Sequence, residues 1–247
     1  MNHPFFKSVQ GRTLIESHRG SVGYAPENSW SAIKHGHRLG ADLVEVDVQL
    51  SQEGVPFLRH KAQLPDGRWC HQCTWEMLKT VQVENESLPR LDDVLAWALE
   101  VGAYLSLDLK TRFTPEGQLA QAVIKQLERT GTKERVMLLL LDHQELLHIK
   151  KAYPDLMTRA LLRGRLHNYP DYLKSIGADC VNIAYDLFRP ADIDEIHDSG
   201  IAVALGGLWN LEADIANLDI DIFSHDNPAE ARRLLGSDES AATKETI

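Results

Sequence analysis

The sequence predicts an α/β protein of the (β/α)₈ barrel class, also called a TIM barrel, on three observations. Eight strand-like apolar runs alternate with helix-period segments along nearly the whole chain, a pattern typical of a parallel sheet with crossover helices. The length of 247 residues suits this barrel, which needs about 250. Several helical segments end at glycine, which often closes a helix in a left-handed conformation. These are Gly40, Gly102, Gly131, Gly177 and Gly200. A doubly wound open sheet is the structural alternative.

The candidate strands are aliphatic runs bounded by polar or turn-forming residues. In chain order they cover residues 13–18, 43–50, 103–110, 135–142, 157–163, 178–185, 201–206 and 220–225. After the second strand, the turn SQEG precedes a short apolar run, VPFLRH at 55–60. This order predicts an extension that folds back on the second strand as a hairpin.

The candidate helices lie between these strands. They cover residues 29–40, 91–102, 116–131, 144–153, 169–177, 190–200, 212–218 and 228–235. Residues 61–88 have little periodicity and are expected to form an insertion over the barrel mouth. Residues 237–247 are expected to be a disordered tail. We therefore expect a single domain over 1–247, with its core at about 13–235.

Composition excludes several classes of partner. The formal net charge of −10 argues against nucleic acid, because such a partner requires a basic surface. The longest apolar run, VMLLLL, is far shorter than the roughly 20 residues that span a bilayer. With no signal-peptide pattern at the N-terminus, we expect a cytoplasmic location without membrane insertion. The sequence predicts no particular oligomeric state.

The three cysteines are too few for a disulfide framework. Cys70 and Cys73 flank His71 in the motif CHQC, a spacing that is compatible with zinc. A structural zinc site needs four ligands and no second pair follows, so two ordinary thiols in a loop are the favoured interpretation.

Charged side chains interrupt the second and third candidate strands. Because strand side chains alternate between faces, Glu45 and Asp47 share one face of LVEVDVQL, and Asp108 and Lys110 share one face of LSLDLK. The other face of each strand is apolar and must pack under the helices, so the charges are expected inside the barrel. Three carboxylates on neighbouring strands suit one divalent cation, Mg²⁺ or Ca²⁺. The alternative is a structural charge network with Lys110 and Arg19.

Two histidines are expected close to these carboxylates. His18 follows the first strand and His60 follows the extension of the second. Catalytic groups of this fold collect at the C-terminal ends of strands, and histidine can act as a general acid or base near neutral pH. The alternative is that each is an ordinary structural histidine.

The segment 17–64 resembles the glycerophosphodiester phosphodiesterase family, one of the phosphatidylinositol-phospholipase-C-like TIM-barrel phosphodiesterases. The family signature is matched by HRG at 18–20, PEN at 26–28, the pair Glu45 and Asp47, and His60. The similarity continues through LPRLDDVLAWA, LSLDLK and DIFSHDNP, and it covers the chain from about Thr13 to Leu235.

The resemblance implies a metal-dependent phosphodiesterase acting on a small soluble phosphodiester, with one divalent cation. The family's metal ligands fall on Glu45, Asp47 and Asp108, its acid and base on His18 and His60, and its phosphate contacts on Arg19 and Lys110. A neighbouring hydroxyl would attack phosphorus, giving a cyclic phosphate that water then opens. Two alternatives stay open: a lyase that stops at the cyclic phosphate, and a barrel that only binds a phosphoester.

Some positions depart from the family pattern. Lys61 replaces the usual Asp after the second His and could contact phosphate or sugar, or be a solvated side chain. Asp108 replaces the usual Glu, as in the similar DLK motif of sphingomyelinase D enzymes. The late Trp is shifted to Trp209, where it could stack on a sugar or glycerol or close the barrel top. A sugar phosphodiester is therefore an alternative to a glycerophosphodiester.

Overall fold

The computed structural model describes residues 12–184, 187–206 and 217–236 of the chain. The strands are β1 Leu14–Ser17, β2 Leu43–Leu50, β3 Pro56–Leu58, β4 Gln82–Val83, β5 Glu86–Ser87, β6 Tyr104–Leu109, β7 Val136–Leu140, β8 Met157–Leu161, β9 Cys180–Ala184, β10 Ala202–Gly206 and β11 Ile222–His225. The helices are α1 Trp30–Arg38, α2 Trp75–Leu78, α3 Leu91–Val101, α4 Gln118–Thr130, α5 His143–Ala152, α6 Tyr169–Ile176, α7 Pro190–Asp198 and α8 Pro228–Leu234.

Eight parallel strands close into a barrel in the order β1, β2, β6, β7, β8, β9, β10, β11. The closure is at β1, where Leu14 pairs with Ile222 of the last strand and Glu16 pairs with Leu43 of the second. The predicted (β/α)₈ barrel is confirmed, and the open sheet is wrong because β1 has a strand neighbour on both sides. Each barrel strand lies within two residues of its predicted ends.

The strand β3 runs antiparallel to β2, with Val48 opposite Leu58, so the predicted hairpin is present. Residues 61–88 then form a 3₁₀ turn at Cys70–Gln72, the single helical turn α2 and the small hairpin β4–β5. They contribute to an apolar cluster of Phe57, Leu64, Cys70, Cys73, Leu78 and Leu88. The single-domain organisation with an insertion over the mouth stays a prediction, and the tail at 237–247 lies outside the described residues, as does most of the predicted helix at 212–218.

The two faces of β2 and β6 differ as the alternation predicts. Val44, Val46, Leu105 and Leu107 pack in the main core between the strands and the surrounding helices. A smaller apolar cluster contains residues from seven of the barrel strands: Leu14, Leu43, Met137, Leu139, Met157, Cys180, Ala202, Ala204 and Ile222. Such a filled barrel has a packed interior rather than a pore, so a ligand must bind at its mouth.

A buried ion pair lies among the barrel strands. Arg159 of β8 is fully buried, and its Nη1 lies 3.2 Å from Oε1 of Glu16 on β1. Its Nη2 also donates to the same carboxylate and to Oγ of Ser106, the latter at 3.0 Å. A buried pair with several hydrogen bonds is tolerated, whereas either partner alone would be a buried uncompensated charge.

The helices of the described residues include none that is long and apolar enough to cross a membrane.

Candidate active site

Three carboxylates converge at the C-terminal ends of β2 and β6. Glu45 and Asp47 lie on β2, and the register of the two parallel strands pairs Asp47 directly with Asp108 of β6. One oxygen of each carboxylate lies within 4.8 Å of an oxygen of the other two. Both residues of β2 are buried and Asp108 is partly buried. Within the described part of the chain, this is the one group of Asp, Glu, His and Cys residues with metal-ligand spacing.

The negative charge of Asp47 is compensated by two cationic side chains and by the amide of Asn28. Lys110 Nζ lies 2.7 Å from Asp47 Oδ1 and also contacts Asp108, while Arg19 Nε lies 3.4 Å from Asp47 Oδ2. Asn28 donates to Asp47 Oδ2 at 2.7 Å. Burial opposes the charge of Asp47, but Lys110 and the hydrogen bonds outweigh it and hold the pKa of Asp47 below its ordinary value.

Glu45 lacks such compensation. Among the residues that the structure describes, no lysine or arginine forms an ion pair with it, and its carboxylate accepts the backbone N–H of Arg19 at 2.7 Å. Burial together with repulsion from Asp47 and Asp108 raises the pKa of Glu45 to about 8. The charge network considered as an alternative is therefore present at Asp47 and Asp108 but gives Glu45 no lysine or arginine ion pair among the described residues, and the charge of His18 only partly offsets its burial. A divalent cation fits this set of hard oxygen donors and would supply the missing charge.

The turn between β1 and α1 positions Arg19. Arg19 and Gly20 both have positive φ angles, 49° and 90°, and the N–H of Gly20 donates to the backbone oxygen of Glu45 at 2.9 Å. Gly36 of α1 packs so closely on this turn that a Cβ atom there would overlap the carbonyl oxygen of Gly20. The absence of a side chain at Gly36 thus lets the helix hold the turn against β2.

His18 is held by a carboxylate from the last strand segment. Its Nδ1 lies 2.6 Å from Oδ1 of Asp226, which follows β11 directly. Burial disfavours the charged imidazole, but the hydrogen bond to Asp226 and the charge of Glu45 outweigh it, so the pKa of His18 is raised. This environment favours the imidazolium form, which is able to donate a proton.

His60 has a different environment. Its Nε2 lies 3.1 Å from Nη2 of Arg19, and because a guanidinium nitrogen only donates, Nε2 must carry a lone pair. The other ring nitrogen, Nδ1, lies 3.9 Å from Glu27, and Glu27 is in turn 2.5 Å from Nη1 of Arg19. Burial is the main cause that lowers the pKa of His60. This environment favours the neutral form, which is able to accept a proton.

The barrel mouth contains a cavity of about 590 Å³. Of the predicted site residues, His60, Asp108 and Lys110 line this cavity. Arg19 contacts His60 and Asp47, Asp47 contacts Lys110, and the backbone of Arg19, next to His18, contacts Glu45. Lys61 lines a neighbouring groove with Pro26 and Leu64. Trp209 lies outside the described residues. The roles of all nine stay predictions.

Three further side chains of the site received no role in the prediction from the sequence. Asn28 and Glu27 belong to the PEN motif and contact Asp47 and Arg19. Asp226 belongs to the DIFSHDNP segment and holds His18. A polar residue directly after the last strand was the available signal for Asp226, since site residues of this fold lie there.

The CHQC motif does not form part of this site. Cys70 and Cys73 are free and buried in the apolar cluster around Phe57. Burial raises the pKa of the Cys70 thiol to about 11, which disfavours the thiolate that a metal requires.

A closed parallel barrel with carboxylates, basic groups and two histidines at its mouth defines a class of barrel enzymes that transform small charged substrates. The sequence model of the Glycerophosphoryl diester phosphodiesterase family matches residues 18–222. The chain belongs to this family and is an enzyme of the phosphoric diester hydrolase class.

Similar proteins agree with this family. A glycerophosphodiester phosphodiesterase of Bacillus altitudinis is 27% identical over 179 residues, which cover 67% of this chain and 73% of that protein. A putative glycerophosphodiester phosphodiesterase of Galdieria sulphuraria has a similar structure, with a TM-score of 0.82, 20% identity and coverage of 91% of this chain and 98% of the other. A phosphodiesterase of Oleispira antarctica, solved in complex with the product sn-glycerol-3-phosphate, has a TM-score of 0.81 at 21% identity, covering 91% and 97% of the two chains.

Proposed function

We propose that this enzyme is a phosphodiesterase that requires one divalent cation, Mg²⁺ or Ca²⁺, and hydrolyses small glycerophosphodiesters through attack of a neighbouring hydroxyl group. The observation that carries the proposal is the convergence of three carboxylates, of which Glu45 has no lysine or arginine as an ion-pair partner among the described residues, beside two histidines in opposite environments. That the enzyme acts in the cytoplasm is a further prediction, which cell fractionation would test.

Glu45, Asp47 and Asp108 would hold the cation. When bound, it supplies Lewis-acid stabilisation of charge on phosphorus and lowers the pKa of a nearby hydroxyl. Arg19 and Lys110 would bind phosphate oxygens; this role is supported by their contacts with Asp47 of the acidic cluster and by their hydrogen-bond donors. Both then exchange part of their contact with Asp47 for contact with the substrate.

The two histidines divide the proton transfers. His60, whose Nε2 carries a lone pair, accepts the proton of the neighbouring hydroxyl as its oxygen attacks phosphorus. His18, stabilised in its charged form by Asp226, donates a proton to the leaving alcohol as the bond between phosphorus and that oxygen breaks. The organic product of this step is a five-membered cyclic phosphate. In the second step the roles reverse: His18 accepts a proton from water, and His60 returns its proton to the ring oxygen that leaves.

The product of this sequence is glycerol phosphate. The neighbouring structure from Oleispira antarctica contains the product sn-glycerol-3-phosphate, which supports the choice of a glycerophosphodiester as substrate. A lyase would make the first step and release the cyclic phosphate.

A substrate panel tests the proposal. Glycerophosphoglycerol, a glycerophosphocholine and a sugar phosphodiester are assayed with Mg²⁺ or Ca²⁺ and with EDTA, and the products are followed by ³¹P NMR. Bis(p-nitrophenyl) phosphate is the negative control, because it lacks a hydroxyl next to the phosphoester. We expect glycerol phosphate from a glycerophosphodiester, full inhibition by EDTA and at most slow cleavage of the control. A cyclic phosphate as the final product would identify a lyase, and EDTA-resistant turnover would refute the metal requirement.

A further inference from the structure

We propose that Arg112 and Arg163 form a second anion-binding subsite at the barrel mouth, and that the substrate carries a further anionic group, a phosphate or a carboxylate, in addition to the phosphodiester that is cleaved. This inference rests on the proposed function, because it assigns the substrate class of the same site. Both arginines line the mouth cavity whose inner side contains Asp108 and Lys110.

The first observation is that neither guanidinium group has an acidic partner among the residues that the structure describes. In the described part of the chain, neither Arg112 nor Arg163 forms an ion pair or a side-chain hydrogen bond, and both are exposed at the rim. Arg165, two residues beyond Arg163, instead makes a two-pronged contact with Asp192 at 2.9 and 2.7 Å. The protein has 36 acidic and 26 basic residues, yet neither arginine forms an ion pair with a described acidic residue.

The second observation is that Arg112 is already held in place. Its guanidinium carbon lies 5.1 Å from the ring centre of Phe113, a distance typical of a cation–π contact. Phe113 itself contacts the ring of Trp69, with centres 4.7 Å apart, and the ring of His71, with centres 6.1 Å apart and an interplanar angle of 7°. Aromatic support reduces the side-chain entropy that Arg112 loses when it binds an anion.

The third observation concerns Asp142, the acidic residue that lines the same cavity in addition to Asp108. Asp142 is the N-cap of α5, where its carboxylate accepts the N–H groups of Gln144 and Glu145 at 3.1 and 3.2 Å. Its charge therefore lies against the N-terminus of a helix, which stabilises it there, rather than against either arginine.

The subsite lies in the same cavity as the residues that would bind the reacting phosphate. Arg112 lies in the 3₁₀ turn Thr111–Phe113, directly after the strand segment with Asp108 and Lys110, and Arg163 follows β8. With the reacting phosphate beside Lys110, the rest of the cavity, about 590 Å³ in all, accommodates a part of the substrate beyond that phosphate. An anionic group on this part is attracted by the two arginines, and a cationic group such as choline is repelled.

A matched pair of substrates tests the inference. Glycerophosphoglycerol and its derivative with a phosphate on the terminal hydroxyl differ only in that phosphate, so the ratio of their kcat/KM values measures the subsite. We expect the wild-type protein to favour the phosphorylated substrate by about five- to twentyfold, since an exposed ion pair changes affinity by up to about fivefold. The preference should decrease in 0.5 M salt, because salt screens exposed charges.

Variants assign the preference to the arginines. The ratio should fall to about one in the double variant Arg112→Gln/Arg163→Gln, and to an intermediate value in each single variant. Arg165→Gln is the control, because it removes a nearby arginine that does not line the cavity, and it should leave the ratio unchanged.

The outcomes separate this inference from the proposed function. A wild-type ratio near one with both substrates turned over would overturn the subsite alone, as would a preference that persists in the double variant. No turnover of either substrate under any metal would overturn the proposed function and the subsite with it.

Discussion

The contact between His18 and Asp226 allows a direct test of which group acts as the acid. Asp226→Asn keeps the size of the side chain but removes its negative charge. In the wild-type protein, Asp226 Oδ1 lies 2.6 Å from His18 Nδ1, and the two side chains are 27% and 23% exposed. Without the carboxylate, the pKa of His18 should fall, because burial then acts with less opposition.

The expected magnitude follows from this hydrogen bond. A hydrogen bond to a charged group contributes about 1.5–3 kcal/mol, and partial exposure places this one near the lower end, at about 1.5–2 kcal/mol. Each 1.36 kcal/mol corresponds to about a factor of ten, so kcat/KM above neutral pH should fall about 10- to 30-fold. The alkaline limb of the profile of kcat/KM against pH should move to lower pH, since the acid must be protonated.

The Asp226→Asn variant should also change how the free energy of unfolding depends on pH. Because the pKa of His18 is raised in the folded protein above its ordinary 6.5, the charged pair stabilises the fold below about pH 6.5, and this contribution is lost as the pH rises through the folded pKa. The free energy of unfolding of Asp226→Asn should therefore differ from that of the wild-type protein more at pH 6 than at pH 9, as measured in urea.

Asp221→Asn is the matched control. Asp221 also contacts a histidine, His197 Nε2 at 2.8 Å, but it precedes β11 and so lies at the opposite end of the barrel. This variant should leave the alkaline limb unchanged. An unmoved alkaline limb and near wild-type kcat/KM in Asp226→Asn would refute the role of His18 as the acid.

Three further variants test the site and its scaffold. Without metal at pH 7, the Glu45→Gln variant should be more stable than the wild-type protein. The wild-type carboxyl, with a pKa raised to about 8, keeps a proton that the unfolded chain releases, and this lowers the stability of the fold. Added Mg²⁺ should raise the melting temperature of the wild-type protein and not that of the variant. Arg159→Met should lower the free energy of unfolding in urea by about 3–5 kcal/mol, because Glu16 stays buried without its partner. Adding Glu16→Gln to this variant should restore part of the lost stability. Gly36→Ala should lower the free energy of unfolding by about 1–3 kcal/mol and should also lower kcat/KM, because the added Cβ would displace the carbonyl of Gly20. An unchanged melting temperature together with unchanged turnover would contradict this prediction.

The parts of the fold that the sequence predicted depend on local periodicity. The two-residue alternation in LVEVDVQL and LSLDLK was sufficient to place Glu45, Asp47 and Asp108 on the side of the strands opposite to the apolar core. Strand order followed from the count of alternating segments, because parallel strands joined by helices are neighbours in this barrel.

The parts that were not predicted depend on contacts between distant segments. Asp226 and His18 are 208 positions apart, and Arg159 and Glu16 are 143 apart, so no periodicity links them. The same holds for Asn28, which reaches Asp47 because the β1–α1 turn folds onto β2. Lys61 follows His60 directly but lines a different groove, since chain position alone does not determine side-chain direction beyond the end of a strand.

The metal site is tested most directly by crystals soaked in Mn²⁺, which scatters anomalously and takes the same oxygen ligands as Mg²⁺. We expect an anomalous peak at about 2.0–2.6 Å from an oxygen of each of Glu45, Asp47 and Asp108. A map without a peak there, in which Lys110 still bridges Asp47 and Asp108, would show that the acidic cluster is a structural charge network rather than a metal site.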